Sequence, residues 1–219
     1  MNDSIGSGDS GTHIVSGLRA TKRGRIALHI DGEFVCTVGV SLVARHHLFA
    51  GKEIDDEQFA RLRQEALGDK VRGDAYRLLG QRVRSRHELG GRLRDKGYEA
   101  PLVDQTLDRL AADGLLDDSA FARAFVADKR RLGGWGDERI IRELGRFGVA
   151  AELIKDALGP PDAEDQLQRA AAALRKRGTP SGDREADMRH ALAFLQRRGF
   201  STPTSYSAVR AWIDGPHSG

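Results

Sequence analysis

The sequence predicts a mainly α-helical fold: three tandem three-helix repeats in an elongated, curved array, behind a small N-terminal antiparallel β-hairpin or sheet segment. Three observations carry this. One short element recurs three times at a single spacing, apolar periodicity from Asp74 onward is helical throughout, and an Asp31-Gly32 pair sits between two strand-like runs. Composition agrees, since 31% charged and only 6% aromatic residues favour helix over sheet.

Taken in order, residues 1–13 (MNDSIGSGDSGTH) carry no basic stretch followed by an apolar one, so they read as a disordered Gly/Ser tail rather than a signal peptide. Segments 14–20, 26–31 and 34–38 read as strands. Ile26, Leu28 and Ile30 alternate with Ala27, His29 and Asp31, the period of a half-buried strand. Asp31-Gly32 suits a tight hairpin because both turn positions want positive φ, and Lys22-Arg23-Gly24 supplies the preceding turn. Ser41 is expected to cap a short helix to about Leu48. Asp55 is expected to cap another, in which Phe59, Leu62 and Ala66 share a face.

The repeat lies in ELGGRLRDKGY (88–98), RIIRELGRFGV (139–149) and HALAFLQRRGF (190–200). Leu89, Ile140 and Ala191 correspond, as do Leu93, Leu144 and Leu195, and then Gly97, Gly148 and Gly199, each step being 51 residues (148 − 97 and 199 − 148). Two apolar residues four apart face one side of a helix. A glycine four further on suits a left-handed C-terminal cap, and the apolar residue after it folds back onto the helix. Helices flank each element, marked before it by Ala75, Leu78 and Leu79, by Phe121, Ala122, Phe125 and Val126, and by Leu167, Ala171 and Leu174. After it they are marked by Leu102, Leu107 and Leu110, by Leu153, Ile154, Ala157 and Leu158, and by Val209, Trp212 and Ile213. Ser85 and Glu88 form a capping-box pair ahead of the first element. The expected organisation is a sheet with short helices over 14–70, repeats over 71–117, 118–161 and 162–214, and a tail at 215–219.

Catalytic signatures are lacking. GGWGDERIIRELG (133–145) puts Asp-Glu where a phosphate-binding loop needs Lys and a hydroxyl, so it reads as a loop and helix start. The seven histidines lack metal-ligand spacing, Asp117-Asp118 reads as a helix cap ahead of Phe121, and Cys36, the single cysteine, reads as a small core residue. No catalytic residues, metal or cofactor are expected. One cysteine is consistent with a reducing compartment, and no apolar run is long enough to span a membrane, so a cytoplasmic location is the default.

Charge supplies the binding signal. The net charge is only +3, yet residues 71–100 hold eight Arg or Lys against four acids, and residues 169–198 hold eight against three. The candidate contacts are Arg82, Arg84, Arg86, Arg92, Arg94 and Lys96, with Lys129, Arg130 and Arg131 and with Arg197 and Arg198 at helix ends. Such clusters suit phosphates or an acidic protein surface, and a solvated helix face is the plain alternative.

The ordered words resemble the bacterial RecX family of regulatory proteins. They are Arg84-Ser85, Glu88-Leu89, Leu93 and Lys96-Gly97-Tyr98, then Gly114-Leu115-Leu116-Asp117-Asp118, Phe121-Ala122 and Phe125-Val126. Glu143-Leu144, Gly148-Val149, Phe194-Leu195 and Arg197-Arg198-Gly199-Phe200 follow, so the likeness spans about Asp74 to Ile213. It implies a non-enzymatic protein, expected as a monomer, that docks on the RecA–DNA filament and restrains RecA's ATPase and strand exchange, and with them recombination and the SOS response. Single- or double-stranded DNA is a further partner to weigh. Phe147 departs from the basic residue usual before the second glycine, and 162–182 holds few family words. The competing readings are a direct DNA-binding protein whose basic helices hold phosphates and a structural helical adaptor.

Overall fold

The computed structural model describes residues 11–22 and 24–215. Of the expected tails, 1–13 and 215–219, residues 1–10 and 216–219 lie outside these residues, as does Arg23 of the expected turn. In chain order come β1 (Thr12–Ala20), β2 (Ile26–Ile30), β3 (Glu33–Val38), α1 (Val40–Arg45), β4 (Glu53–Asp55), α2 (Asp56–Gln81) and α3 (Arg86–Arg94). These are followed by α4 (Ala100–Ala112), α5 (Asp118–Arg131), α6 (Asp137–Arg146), α7 (Ala151–Leu158), α8 (Ala163–Arg177), α9 (Arg184–Arg197) and α10 (Thr202–Asp214). The chain divides into two compact units, one through Arg82 with Arg92–Arg109, the other of Val83–Gly91 with Leu110 onward.

In the first unit the sheet is antiparallel with order β3-β2-β1-β4. Asp31 (φ 53°) and Gly32 (φ 84°) make the expected hairpin turn. Val15, Leu28, Ile30, Val38 and Ile54 pack with Leu42, Leu62 and Ala66 into one core, against which Phe59 and Cys36 are partly buried. Strand β1 starts inside the stretch expected to be tail, because Thr12 and His13 pair with Asp55 and Ile54 of the unforeseen β4. Three residues are too few for alternation to show in sequence. Helix α1 is capped by Gly39 without a side-chain bond, so Ser41 is not its cap and the helix ends at Arg45, short of Leu48. Asp55 does cap α2, accepting from the Gln58 amide while the Gln58 side chain accepts from the Asp55 amide. The two helices expected on either side of residue 70 are one. Buried Leu62, Ala66, Val71 and Ala75 follow one another at four and five residues, and this shared face carries the helix past Gly68 and Gly73.

Within the second unit α5–α7 and α8–α10 each pack as a three-helix set, and α2–α4 are the three helices that precede them in the chain. Their middle helices end as the repeat requires. Gly97, Gly148 and Gly199 have φ of 86°, 70° and 82°. The amides of Tyr98, Val149 and Phe200 donate to the carbonyls of Leu93, Leu144 and Leu195, and the three glycine amides donate to Arg94, Gly145 and Gln196. These are the paired bonds of a Schellman cap. Leu89, Leu93, Ile140, Leu144, Ala191 and Leu195 are fully withdrawn from solvent. Helix α8 is rotated from expectation: Ala170, Ala173 and Leu174 are its buried residues, while Leu167 is exposed.

Within the second unit the caps also serve as docking points. The Phe147 carbonyl accepts from the Ser85 hydroxyl at 2.6 Å, and the Arg198 carbonyl accepts from the Gly136 amide at 2.8 Å. In each case the residue before a cap glycine meets the residue preceding an earlier middle helix. The approach is tight: a Cβ on Gly148 would lie 2.3 Å from His87 Cβ, and one on Gly199 2.3 Å from the Arg139 nitrogen. Glycine is therefore demanded twice over at these positions, by torsion and by space.

Candidate functional site

In the first unit Arg82 is exposed at the C-terminus of α2, and Arg92 is exposed on α3 with no side-chain hydrogen bond or ion pair among the described residues. Arg94 reaches Asp104 only at 3.9 Å, with both side chains well exposed. Lys96 lies past the end of α3 and is held 3.3 Å from Asp74. Asp74 also accepts from the Tyr98 hydroxyl at 3.0 Å and from Arg77 at 2.6 Å. Burial alone would raise the Asp74 carboxyl, but the bonds from Tyr98, Arg77 and Lys96 outweigh it and hold it below the usual carboxylate range. The Tyr98 phenol is pushed up to about 12 by burial and by that carboxylate. Lys96 is thus part of a structural knot, and reversing its charge would set two carboxylates together.

In the second unit several expected contacts turn inward. Arg84 is buried, 6% exposed, and pairs with Glu88 at 2.5 Å. The amides at the start of α3 explain the family words around it: Arg86 donates to the Asp118 carboxylate at 2.7 Å and Glu88 to the Ser85 hydroxyl at 3.1 Å. Asp117, as expected, caps α5 by accepting from the Ser119 and Ala120 amides. Arg130 makes a two-pronged pair with Asp137 at 3.1 and 2.9 Å and also reaches the Leu158 carbonyl. Arg198 donates to the Gly133 and Gly134 carbonyls and stacks over Phe194. Lys129 stands over the rings of Phe125 and Trp135. Of the helix-end cations, Arg131 and Arg197 stay exposed, and among the described residues Arg131 pairs only with Asp128, at 4.0 Å.

Three residues stand outside the candidate contacts chosen from the sequence. Arg169 joins Asp137, Asp165 and the Trp135 carbonyl, so Asp137 neutralises two buried-side guanidiniums at once. Arg139 lies 3.8 Å over the Trp135 ring. Trp135 in turn belongs to an aromatic cluster with Phe121, Phe125 and Phe147. Phe147, the departure from the family pattern, is thereby a core residue. The GGWGDE segment is a loop and helix start, as its composition suggests. Only the Asp165–Arg169 spacing, four apart on a helix, offered a local signal for any of these.

The remaining cations can hold phosphate or carboxylate oxygens. Among the described residues no group of three or more His, Cys, Asp or Glu is placed to hold a metal. Burial raises the Cys36 thiol more than Arg63 and Arg25 lower it, the opposite of an activated nucleophile. No helix of the described residues is long and apolar enough to cross a membrane.

Comparison with known proteins accounts for the arrangement. Residues 72–110 match the first three-helix domain of RecX, and residues 117–158 match the second. Regulatory protein RecX of Mycobacterium sp. strain JLS is 36% identical over 64% of this chain and 79% of its own length. That of Halorhodospira halophila is 39% identical over 67% and 90%, and that of Bacillus subtilis strain 168 is 30% identical over 81% and 68%. A crystal structure of regulatory protein RecX superposes with a TM-score of 0.68 at 25% identity, covering 90% of this chain and 98% of that one. RecX from Lactobacillus salivarius, at 18% identity and a TM-score of 0.56 over 67% and 96%, shares the fold. Repeat, caps and relatives agree: the chain belongs to the RecX family of non-enzymatic regulatory proteins, modulators of the RecA recombinase.

Proposed function

We propose that the protein acts as a monomer in the cytoplasm, docking on the RecA–DNA filament and limiting its ATPase and strand exchange. The observation that supports this reading is the division of labour among the cations. Arg84, Arg130, Arg169 and Arg198 have partners inside the fold, whereas Arg92, Arg131 and Arg197 present charge to solvent with at most one long internal contact. A desolvated contact between such a cation and a carboxylate or phosphate commonly carries about 2 kcal/mol or more on truncation. The three are therefore the contact residues assigned here, with Arg82 and Arg94 as flanking charges.

The test is the triple charge reversal Arg92→Glu, Arg131→Glu and Arg197→Glu in the full chain. Its melting temperature is expected to stay near wild type, because exposed charges contribute about 0–1 kcal/mol each. Inhibition of RecA strand exchange and ATPase is expected to weaken by on the order of tenfold or more. Wild-type inhibition by the folded variant would remove these residues from the interface. Binding of the protein to DNA without RecA, measured against salt, tests the DNA contact separately, since several phosphate contacts give a steep slope.

A further inference from the structure

Among the described residues the sheet stops at β3, which has no strand neighbour on its outer side. Apart from its ladder with β2, the β3 backbone makes no backbone hydrogen bond among the described residues, although the Thr37 carbonyl accepts from Arg25. A groove of ≈ 640 Å³ runs between this edge and α2. Two large apolar side chains among its lining are open to solvent, Phe34 at 60% and Leu67 at 44% exposed. An open edge beside exposed apolar side chains is a liability that folded proteins normally blunt.

The charge of the groove has one sign. Its two ionised walls are Arg63 and Lys70, both exposed. The adjacent acid, Asp69, is already neutralised by Arg72. The thiol of Cys36, within the groove, accordingly feels only cations, Arg63 and Arg25. Arg63 and Lys70 are two helical turns apart, about 10.5 Å along the axis. One face of a β-strand repeats about every 6.8 Å, so positions four residues apart span about 13–14 Å, a gap that long basic side chains close.

We propose that this groove is a docking site for an extended peptide segment of a partner protein, with an acid, an apolar residue and an acid at alternate positions, added to β3 as a further strand. Backbone pairing with β3 supplies the affinity common to any strand. The apolar residue settles between Phe34 and Leu67, and the two carboxylates meet Arg63 and Lys70, which sets the sequence preference.

Cys36, the chain's single cysteine, reports on occupancy directly. The full-length protein is alkylated with iodoacetamide in the presence of a peptide of about nine residues carrying Glu, Val and Glu at alternate positions with threonine between them. At a peptide concentration about ten times Kd the rate should fall about tenfold, because the thiol reacts only from the unoccupied fraction. Lysine in place of the glutamates, or proline in place of the threonines, should abolish protection, the first by charge and the second by removing strand donors. Arg63→Glu with Lys70→Glu should lose protection by the acidic peptide while keeping the wild-type melting curve, and Phe34→Ala should weaken it independently. No protection, or equal protection by the lysine peptide, overturns the proposal. So does a peptide-free rate that falls with protein concentration, which would make the occupant a second copy, or one that rises on deleting residues 1–10, which would make it the chain's own N-terminus.

Discussion

Gly97 and Gly136 obey opposite constraints, and comparing them separates two reasons for a glycine that Gly199 combines. Gly97 caps α3 at φ 86°, yet a Cβ built there meets nothing within 4 Å. Gly136 has φ −78°, which any residue adopts, yet a Cβ there would lie 2.1 Å from the Gly199 carbonyl oxygen. At Gly97 the torsion alone demands glycine, and at Gly136 the neighbouring backbone alone does. Gly199 faces both demands, with φ 82° and the Arg139 backbone in contact. The repeat element thus specifies a helix end, and the same end, where it is covered, becomes a joint.

This ordering can be broken by measurement. Gly199→Ala should be the most damaging of the set, costing about 3 kcal/mol or more as strain in the left-handed region adds to overpacking against backbone. Gly136→Ala should cost about 2–3 kcal/mol from overpacking alone. Urea titrations of both, monitored by circular dichroism, check the order, and equal losses would show that torsion at Gly199 adds nothing.

Ser85→Ala sharpens the comparison at the other joint. It removes the acceptor for the Glu88 amide and the donor to the Phe147 carbonyl, so about 1–2 kcal/mol should be lost. Gly97→Ala, with torsional strain and no collision, should cost about 1 kcal/mol. Thermal melts that place Gly97→Ala level with Gly199→Ala would refute the distinction between cap and joint.

The smallest effect belongs to the sheet. His13 bridges Asp31 at 2.7 Å and Asp56 at 3.0 Å, tying β1 to the hairpin turn and to the start of α2. Its pKa is raised, chiefly by the hydrogen bond it donates to Asp31 and against the effect of burial, with Asp56 adding to it. A raised folded-state pKa contributes stability that is complete below the ordinary histidine range and is lost as pH rises through the folded value. Asp31 is shifted the other way, held down by the Ile14 amide and by His13, so its contribution is lost as pH falls through its depressed folded value. The melting-temperature difference between wild type and His13→Gln should therefore shrink as pH is raised from the histidine range into the alkaline. A difference independent of pH would mean that the bridge contributes through packing on Phe59 alone.

Much of the fold was legible in the sequence because its signals are local. A cap needs one helix, so the spacing of Leu144, Gly148 and Val149 announces it without knowledge of any neighbour. The Asp31-Gly32 turn and the Asp55 cap are equally short-range. Strand β4 was not legible, since three residues gain their identity only by pairing with Thr12–Ile14. Neither was the continuity of α2, where a shared buried face outweighs the glycines that propensity counts against it.

The candidate contacts divide along the same line. Sequence by itself determined where positive charge accumulates and which family words the repeat contains. Only the tertiary structure decided which of those charges reach solvent. Arg84 and Arg92 look alike in a charge count, yet one is buried against Glu88 and the other is open on α3. Arg130 and Arg131 are adjacent, yet Asp137 from the next helix claims the first and leaves the second outside. An arginine's charge is a property of the residue, but its availability depends on which carboxylate or carbonyl the fold brings within reach, and those partners lie up to 65 residues away, as with Arg198 and Gly133.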